Sequence, residues 1–537
     1  VSVFQITSEH NSCQTIRNSN MKLSFSTTPY SFKFWKRKSN SSELLSGTSI
    51  NLTSHSNVSP MTNRQSTANT SGFDGEELPL EDSTVLSLEN CKMRWVKLIQ
   101  DNPNIQIAVL GGGIYGCHFA HVFMRACEEA SAYTSEAIGA KLTLFEKDLT
   151  LFSQASGKNS FRIHKGFHYP RSGTTRRMCY VDHAKFCCTY PNFFRAMNDD
   201  AKSPAFAKVF AVAKDQQTKL DYEAMKNIFA GAKYQGEKSM WDEIDFELWN
   251  EEISCSDDAS FKRKQMEEMG FNVDEIDGAF LVQVEPIMYA DEPRKYFTES
   301  FAKSPFVELK LGNRVERTDI QECDSGDYLL IRQLSFNFAL NCTYNQAIPM
   351  QPDNHAAFYD ICLSVIVAEK SDHGNAPAIS FGLFDGPFPS LEPYDFANKE
   401  DLPRELRSFK NQNLFQIFDV ELSSIGRCYD PKTAYELMEN WEGKKREGSK
   451  EYQLVVQNIW DKCEHYYPRL GKDFELAGTW FALKTKVEDE NASRPLLLMP
   501  DRSVGHRCRF VQVFSSKLTS IFKAEKEFLD LIESIKL

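Results

Sequence analysis

The fold is decided by the stretch IQIAVLGGGIYG at residues 105–116, together with LTLFE at residues 142–146. An apolar run leads into a G-x-G-x-x-G turn, a helix-like run follows, and a second apolar run ends at Glu146. This order of elements is the βαβ pattern that binds a dinucleotide: a strand, a glycine turn, a helix, a second strand and an acid. In this pattern, the helix N-terminus faces the pyrophosphate, and the acid accepts hydrogen bonds from a ribose.

The spacing of the acid departs from the usual pattern. Glu146 follows Gly116 by 30 positions, whereas roughly 20 is usual. The extra length falls in residues 128–140, which we expect to be a helix extension or a surface loop. The alternative is a βαβ turn that binds no phosphate.

Length, charge and cysteine pattern exclude several classes of protein. The chain has 537 residues, which exceeds the roughly 250–300 residues of a single core. A net charge of −12 argues against a general nucleic-acid binder. No apolar run reaches the roughly 20 residues of a membrane span. The 14 cysteines are scattered without a C-x-x-C pair, which favours reduced thiols and no metal site.

The first 75 residues differ from the rest of the chain. They are rich in Ser, Thr and Asn, basic and poor in acids, so we expect a disordered segment. This composition is also that of an organelle transit peptide. The alternatives are an untargeted tail and a true start at Met21. Residues 76–103 are predicted as a helical lead-in. The compartment stays open beyond a soluble protein in a reducing environment.

Three separated segments resemble the D-amino-acid oxidase superfamily of FAD-dependent oxidoreductases. The first comprises residues 109–116 and 144–147. The second, ASGKNSFRIHKGFHY at residues 155–169, is similar to the segment that these enzymes lay along the flavin. The third, VFSSKL at residues 513–518 with the last helix, resembles their closing flavin loop. Ser515-Ser516 stand where the family usually has two glycines.

The resemblance implies an α/β fold with two interleaved units. One is a Rossmann-like, glutathione-reductase-like FAD-binding domain from residues 104–190, 300–350 and 475–537. The other is an α+β substrate domain on a mostly antiparallel sheet from residues 191–299 and 351–474. A nicotinamide domain would continue as a second βαβαβ half. This chain instead continues with the loop at 155–170, so the resemblance favours FAD.

The same resemblance and the local chemistry suggest the site residues. Those expected to contact FAD are Gly111, Gly113, Ile114, Tyr115, Gly116, Glu146, Lys147, Ser156, Asn159, Ser160, Arg162, His164, Val315, Ser516 and Lys517. The catalytic candidates are His164, Tyr169 and Arg494. Neutral imidazole suits proton transfer near pH 7, and Arg binds a carboxylate in bidentate fashion. Arg162 and Arg171 are further carboxylate candidates.

The implied reaction is hydride transfer from a C–N or C–OH bond to flavin, in a small amine, amino acid or hydroxy acid. The expected partner is that small-molecule substrate, with no nucleic acid; the oligomeric state stays open. The alternatives are a flavin monooxygenase or NAD(P)-dependent reductase on the same scaffold, and a non-catalytic FAD-binding protein.

Overall fold

The apolar run at residues 105–110 forms a central strand of a parallel sheet. The computed structural model describes residues 80–171, 173–194, 208–225, 244–245, 259–282, 285–349, 357–370, 379–487, 496–504, 509–515 and 517–535. The expected targeting segment at residues 1–75 lies outside these ranges and stays a prediction. No helix of the described ranges is long and apolar enough to cross a membrane.

Helices and strands alternate along the described chain. The helices are α1 (Leu80–Asp101), α2 (Ile114–Tyr133), α3 (Gly173–Thr189), α4 (Ala259–Met269), α5 (Glu292–Lys303), α6 (Pro431–Glu447), α7 (Lys450–Tyr466), α8 (Arg469–Asp473) and α9 (Ile521–Ile535). The strands are β1 (Gln106–Leu110), β2 (Lys141–Phe145), β3 (Lys208–Ala213), β4 (Ile244–Asp245), β5 (Ile276–Val282), β6 (Val307–Lys310), β7 (Ile320–Glu322), β8 (Leu329–Ile331), β9 (Leu334–Phe336), β10 (Phe338–Asn341), β11 (Ala357–Glu369), β12 (Ser380–Leu383), β13 (Pro389–Pro393), β14 (Leu414–Asp419), β15 (Ser424–Cys428), β16 (Phe474–Val487), β17 (Leu496–Pro500) and β18 (Phe510–Ser515).

The first sheet has the strand order β17-β18-β10-β1-β2-β6 within the described residues. All neighbours run parallel except β17, which is antiparallel to β18. Ile107, Ala108 and Val109 of β1 are fully buried, as expected for a parallel strand covered on both faces. The predicted α/β fold is confirmed.

The turn between β1 and α2 requires glycine for steric reasons. Gly111 has a φ of +100°, and its amide donates to the carbonyl of Phe145 at 2.8 Å. A Cβ atom on Gly116 would lie 2.0 Å from the carbonyl oxygen of Gly111. The extra length before Glu146 forms the end of α2, which runs to Tyr133, and a following loop.

A buried polar network joins the first described helix to the last. Glu525 of α9 accepts a hydrogen bond from the indole Nε1 of Trp95 in α1 at 3.0 Å. Its other oxygen lies 3.1 Å from Nε2 of His118 in α2. Nδ1 of His118 lies 2.7 Å from the hydroxyl of Tyr190. The network therefore fixes α1, α2 and α9 against one another.

The second sheet has the order β15-β11-β14-β13-β12-β3-β5-β4, with β16 also paired to β11. Its pairs are antiparallel except β12 with β3. Ile361, Leu363 and Val365 of β11 pack against α6 and α7. Since side chains alternate along a strand, the even-numbered residues of β11 face the opposite side. This opposite side forms the floor of the site described below.

Strand pairing corrects one predicted boundary. Residues 475–537 were expected to belong wholly to the FAD-binding domain, but β16 pairs along its length with β11 in the second sheet. Only β17 and β18 of this segment join the first sheet. The reason is that β16 is long enough, at 14 residues, to span β11 and to satisfy its backbone there. The other domain boundaries stay predictions.

We expect replacement of Glu525 with Leu to lower the free energy of unfolding by roughly 2–4 kcal/mol, because it leaves the buried donor of Trp95 and the ring of His118 without their acceptor. Urea denaturation measures the change. Glu527→Leu is the control, since Glu527 pairs with Lys523 at a partly exposed site and should cost well under about 1 kcal/mol. Equal losses in both variants would refute the role of the network.

Candidate active site

A cavity of about 480 Å³ lies between the carboxyl edge of the first sheet and the free face of the second. The residues that line it include Glu146 and Val315, as well as His164, His168 and Lys517. Carboxyl edges of parallel sheets are where α/β proteins bind ligands. The cavity therefore follows the path that the sequence predicts for a dinucleotide.

The N-terminus of α2 opens onto this cavity. Ser156, in the loop after β2, accepts a hydrogen bond at its Oγ atom from the amide of Ile114 at 3.0 Å. A Cβ atom on Gly113 would lie 2.8 Å from the same Oγ. The glycine therefore lets the loop close on the start of the helix, where amide dipoles favour an anionic group.

The acid at the end of β2 is held by backbone amides. The two oxygens of Glu146 accept hydrogen bonds from the amides of Gly112 at 2.6 Å and Asp148 at 2.8 Å. Burial raises the pKa of Glu146, and these two amides act in the opposite direction. A carboxylate has about four acceptor positions, so Glu146 retains capacity to accept from a ribose. Lys147 lies beside it, 3.0 Å from Asp148.

The loop at residues 155–170 is shaped by Asn159. Its Oδ1 atom accepts from the amide of Phe161 at 2.6 Å, and its Nδ2 atom donates to the carbonyl of Ser156 at 2.6 Å. The carbonyl of Asn159 in turn accepts from Nε2 of Gln416 in β14 at 2.8 Å. The loop is thereby fastened to the floor of the second sheet.

Arg162 is buried in an ion cluster that spans the loop and the second sheet. Its Nε and Nη2 atoms donate to Glu392 and Ser380, each at 3.0 Å, and Nη1 donates to the carbonyl of Glu285 at 2.7 Å. Glu392 also pairs with Lys208 of β3. Burial lowers the pKa of Lys208 to about 8, with Glu392 acting in the opposite direction. Each of the three guanidinium nitrogens of Arg162 therefore donates at least one hydrogen bond to the protein.

His164 is oriented by a second buried carboxylate. Its Nδ1 atom lies 3.2 Å from Oε2 of Glu285, whose Oε1 atom accepts from the amide of Lys165 at 2.7 Å. Burial by itself would raise the pKa of Glu285, but His164, Arg162 and the Lys165 amide lower it to about 2. An ionised carboxylate can only accept, so Nδ1 of His164 donates to Glu285, and in the neutral imidazole Nε2 is then an acceptor.

His168 and Lys517 also line the cavity. His168 stacks on His164 with ring centroids 5.1 Å apart, and its open surface faces the cavity. Burial, together with His164 and Lys517, lowers the pKa of His168 well below its usual range. The Nζ atom of Lys517 lies 3.3 Å from the ring centroid of Tyr169. A neutral imidazole and a cation thus face the same space.

Comparison with known proteins supports the predicted class. The FAD-dependent monooxygenase FPY4 of Fusarium mangiferae is 26% identical over 434 residues, covering 80% of this chain and 92% of that protein. The FAD-dependent monooxygenase kojA of Aspergillus flavus is 21% identical over 445 residues, covering 80% and 86%. No protein-family model matches the chain.

The fold has a counterpart among solved structures. A modified fructosyl peptide oxidase from Aspergillus nidulans superposes with a TM-score of 0.50 at 9% identity, covering 81% of this chain and 91% of that one. The chain therefore has the same fold as this oxidase. With the two relatives, this confirms the predicted FAD-dependent oxidoreductase.

The residues of the cavity fit FAD. A dinucleotide needs close backbone approach at a helix N-terminus, an acid for the ribose and an elongated space, and Gly113, Glu146 and the cavity supply these. The predicted FAD-contact residues that line the cavity are Gly111, Gly113, Ile114, Tyr115, Glu146, Lys147, Ser156, Asn159, Ser160, Arg162, His164, Val315 and Lys517. Gly116 instead packs within the turn. Individual FAD contacts stay predictions.

The other four predicted residues differ in their placement. Tyr169 lines the cavity beside Lys517. Arg171 is half-exposed and pairs with Asp385 at 2.7 Å, so it serves a surface ion pair. Arg494 and Ser516 lie outside the described residues, and their roles stay predictions.

Sequence reasoning missed three buried charged residues of the site: Lys208, Glu285 and Glu392. Lys208 begins the apolar strand β3, Glu285 lies three positions after the largely apolar strand β5, and Glu392 lies in the short strand β13. A charge within such a run is a usable signal, because a buried charge needs a partner or a function. The identity of the partners could not be read, since they come from distant segments.

Replacing Glu285 with Gln should lower the free energy of unfolding by roughly 3 kcal/mol near pH 6, because the folded carboxylate has a pKa of about 2 against an ordinary 4.5. The lowered pKa stabilises the fold fully above pH 4.5, and this contribution is lost as the pH falls toward 2. Urea denaturation of both proteins from about pH 6 to about pH 3.5 should therefore show a shrinking difference.

Glu400→Gln provides the comparison, since Glu400 is exposed and pairs only with Lys410 among the described residues. Its effect should stay small at every pH. A difference for Glu285→Gln that is constant with pH would contradict the lowered pKa.

Proposed function

We propose that the protein oxidises a C–N or C–OH bond of a small amine, amino acid or hydroxy acid that carries an anionic group. The observation that carries this proposal is the ammonium of Lys517. Lys517 is 8% exposed and lines the cavity, and its Nζ atom has no hydrogen-bond acceptor oxygen among the described residues.

The surroundings of Lys517 favour an anion as its missing partner. Its described neighbours include the Tyr169 ring and the Cys179 thiol, and Asp182 interacts with it electrostatically but shares no hydrogen bond with its Nζ atom. A buried ammonium without a hydrogen-bonded counter-charge is costly. A substrate carboxylate would supply the acceptor, and the Tyr169 ring would shield the pair from water. Arg162 is not available for this task because Glu392 and Ser380 already engage it.

In this proposal, His164 accepts the proton that the substrate loses. FAD, when bound, accepts the hydride from the substrate carbon. The substrate hydroxyl or ammonium must also lose a proton. Nε2 of His164 is the acceptor that Glu285 leaves open, and Glu285 would stabilise the resulting imidazolium.

The relatives favour a second candidate, since both are named FAD-dependent monooxygenases. In that case the reduced cofactor would react with dioxygen, and one oxygen atom would enter the product. The two candidates use the same cofactor site and differ in the source of electrons and in the fate of oxygen.

We expect the purified protein to show oxidised-flavin absorbance and to lose it anaerobically with a hydroxy acid, amino acid or amine. The readout is absorbance across a panel of these compounds, with NADH and NADPH as further additions. Bleaching by NADPH alone, with labelled oxygen from heavy-isotope dioxygen in the product, would favour the monooxygenase. A protein that takes up no FAD would refute both candidates.

Replacing Lys517 with Met should raise the KM for anionic substrates roughly ten- to hundredfold, because a charged hydrogen bond is worth about 1.5–3 kcal/mol. The KM for matched uncharged amines or alcohols should change far less. Lys523→Met is the control, since Lys523 is half-exposed on α9. Equal changes for charged and uncharged substrates would exclude a carboxylate-binding role.

A further inference from the structure

Two polar side chains outside every predicted motif face the cavity without a partner. Ser364 of β11 and Trp480 of β16 occupy paired positions in the register of the second sheet. Both line the cavity. The Oγ atom of Ser364 and the Nε1 atom of Trp480 are buried, and neither has a hydrogen-bond partner among the described residues.

Such atoms need a hydrogen-bond partner, and the described residues provide none. Ser364 is 1% exposed, and buried polar groups in folded proteins are almost always hydrogen-bonded. Leaving one unpaired costs about 1–3 kcal/mol. Cross-strand neighbours place their side chains about 5 Å apart on the same face. The two unpaired atoms therefore lie close to the same region of the cavity.

The position of this pair indicates which ligand it serves. β16 packs against residues Ala155–Gly157 of the loop that is predicted to follow FAD. On the same sheet, Gln416 is hydrogen-bonded to the carbonyl of Asn159 in that loop. A ligand that extends along the loop is therefore covered by the sheet face that carries Ser364 and Trp480.

We propose that Ser364 and Trp480 form an additional FAD-binding subsite that hydrogen-bonds a hydroxyl or carbonyl oxygen of the cofactor. This inference rests on the FAD-dependent function proposed above. The indole of Trp480 can only donate, so the ligand atom must be an acceptor. The hydroxyl of Ser364 can donate or accept. A ligand hydroxyl can accept from Trp480 and donate to Ser364, and a carbonyl can accept from both.

The test is the dissociation constant of FAD, measured by flavin fluorescence on the full chain after removal of bound cofactor. Ser364→Ala deletes the hydroxyl with little change in shape, and Trp480→Phe deletes the indole Nε1 together with one ring. Each should raise the dissociation constant roughly five- to twentyfold, the loss expected for one hydrogen bond. Ser131→Ala and Trp460→Phe are controls, since their polar atoms bond to Cys127 and Glu464 away from the cavity.

A second readout separates ligand binding from a structural role. In the cofactor-free protein Ser364→Ala removes an unpaired buried hydroxyl, so the melting temperature of this variant should stay unchanged or rise. A fall in that temperature, or FAD affinities within twofold of wild type, would overturn the subsite. If Trp480→Phe does not fold, Ser364→Ala decides alone. Failure of the wild-type protein to bind FAD would instead refute the proposed function.

Discussion

The carboxylate of Glu392 is the interaction on which the geometry of the site depends. It accepts hydrogen bonds from Arg162 and Ser380 and pairs with Lys208, all of them buried. Because a buried charge without a partner is costly, these four groups fix one another. Arg162 belongs to the loop at residues 155–170, and the other three groups belong to strands β13, β12 and β3. The loop therefore cannot shift relative to the second sheet without separating charges in the protein interior.

The polar groups of the cavity wall are of two kinds. Some have hydrogen-bond or ion-pair partners within the protein, and others have none among the described residues. Glu392, Arg162 and Glu285 have their partners within the fold and shape the wall. Lys517, Ser364 and Trp480 line the wall with buried polar atoms that have no hydrogen-bond partner among the described residues. The first set makes the wall rigid, and the second is the set for which we propose ligand contacts, in agreement with the preorganisation that binding sites require.

The sequence was informative where structure is determined locally. The glycines at residues 111–116 are required by a turn only a few residues long, so the pattern in the chain reports the geometry directly. The partners of Arg162 and His164 were not predictable in this way. Glu392 lies 230 positions from Arg162, and Glu285 lies 121 from His164. Which strands bring them together depends on sheet order. The same limitation led to the wrong assignment of β16, whose alternating pattern does not identify its neighbour.

The network around Glu525 has a consequence for synthesis of the protein. Trp95 and Glu525 are 430 positions apart, and β18 must enter the first sheet between β10 and β17. Domains that fold during translation do so as the ribosome adds roughly 5–20 residues per second. Here the nucleotide-binding sheet stays incomplete until nearly the whole chain has emerged. Until residues 510–515 have been synthesised, β10 lacks its neighbour β18 on one side, and the cavity lacks the part of its wall that Val513, Ser515 and Lys517 supply.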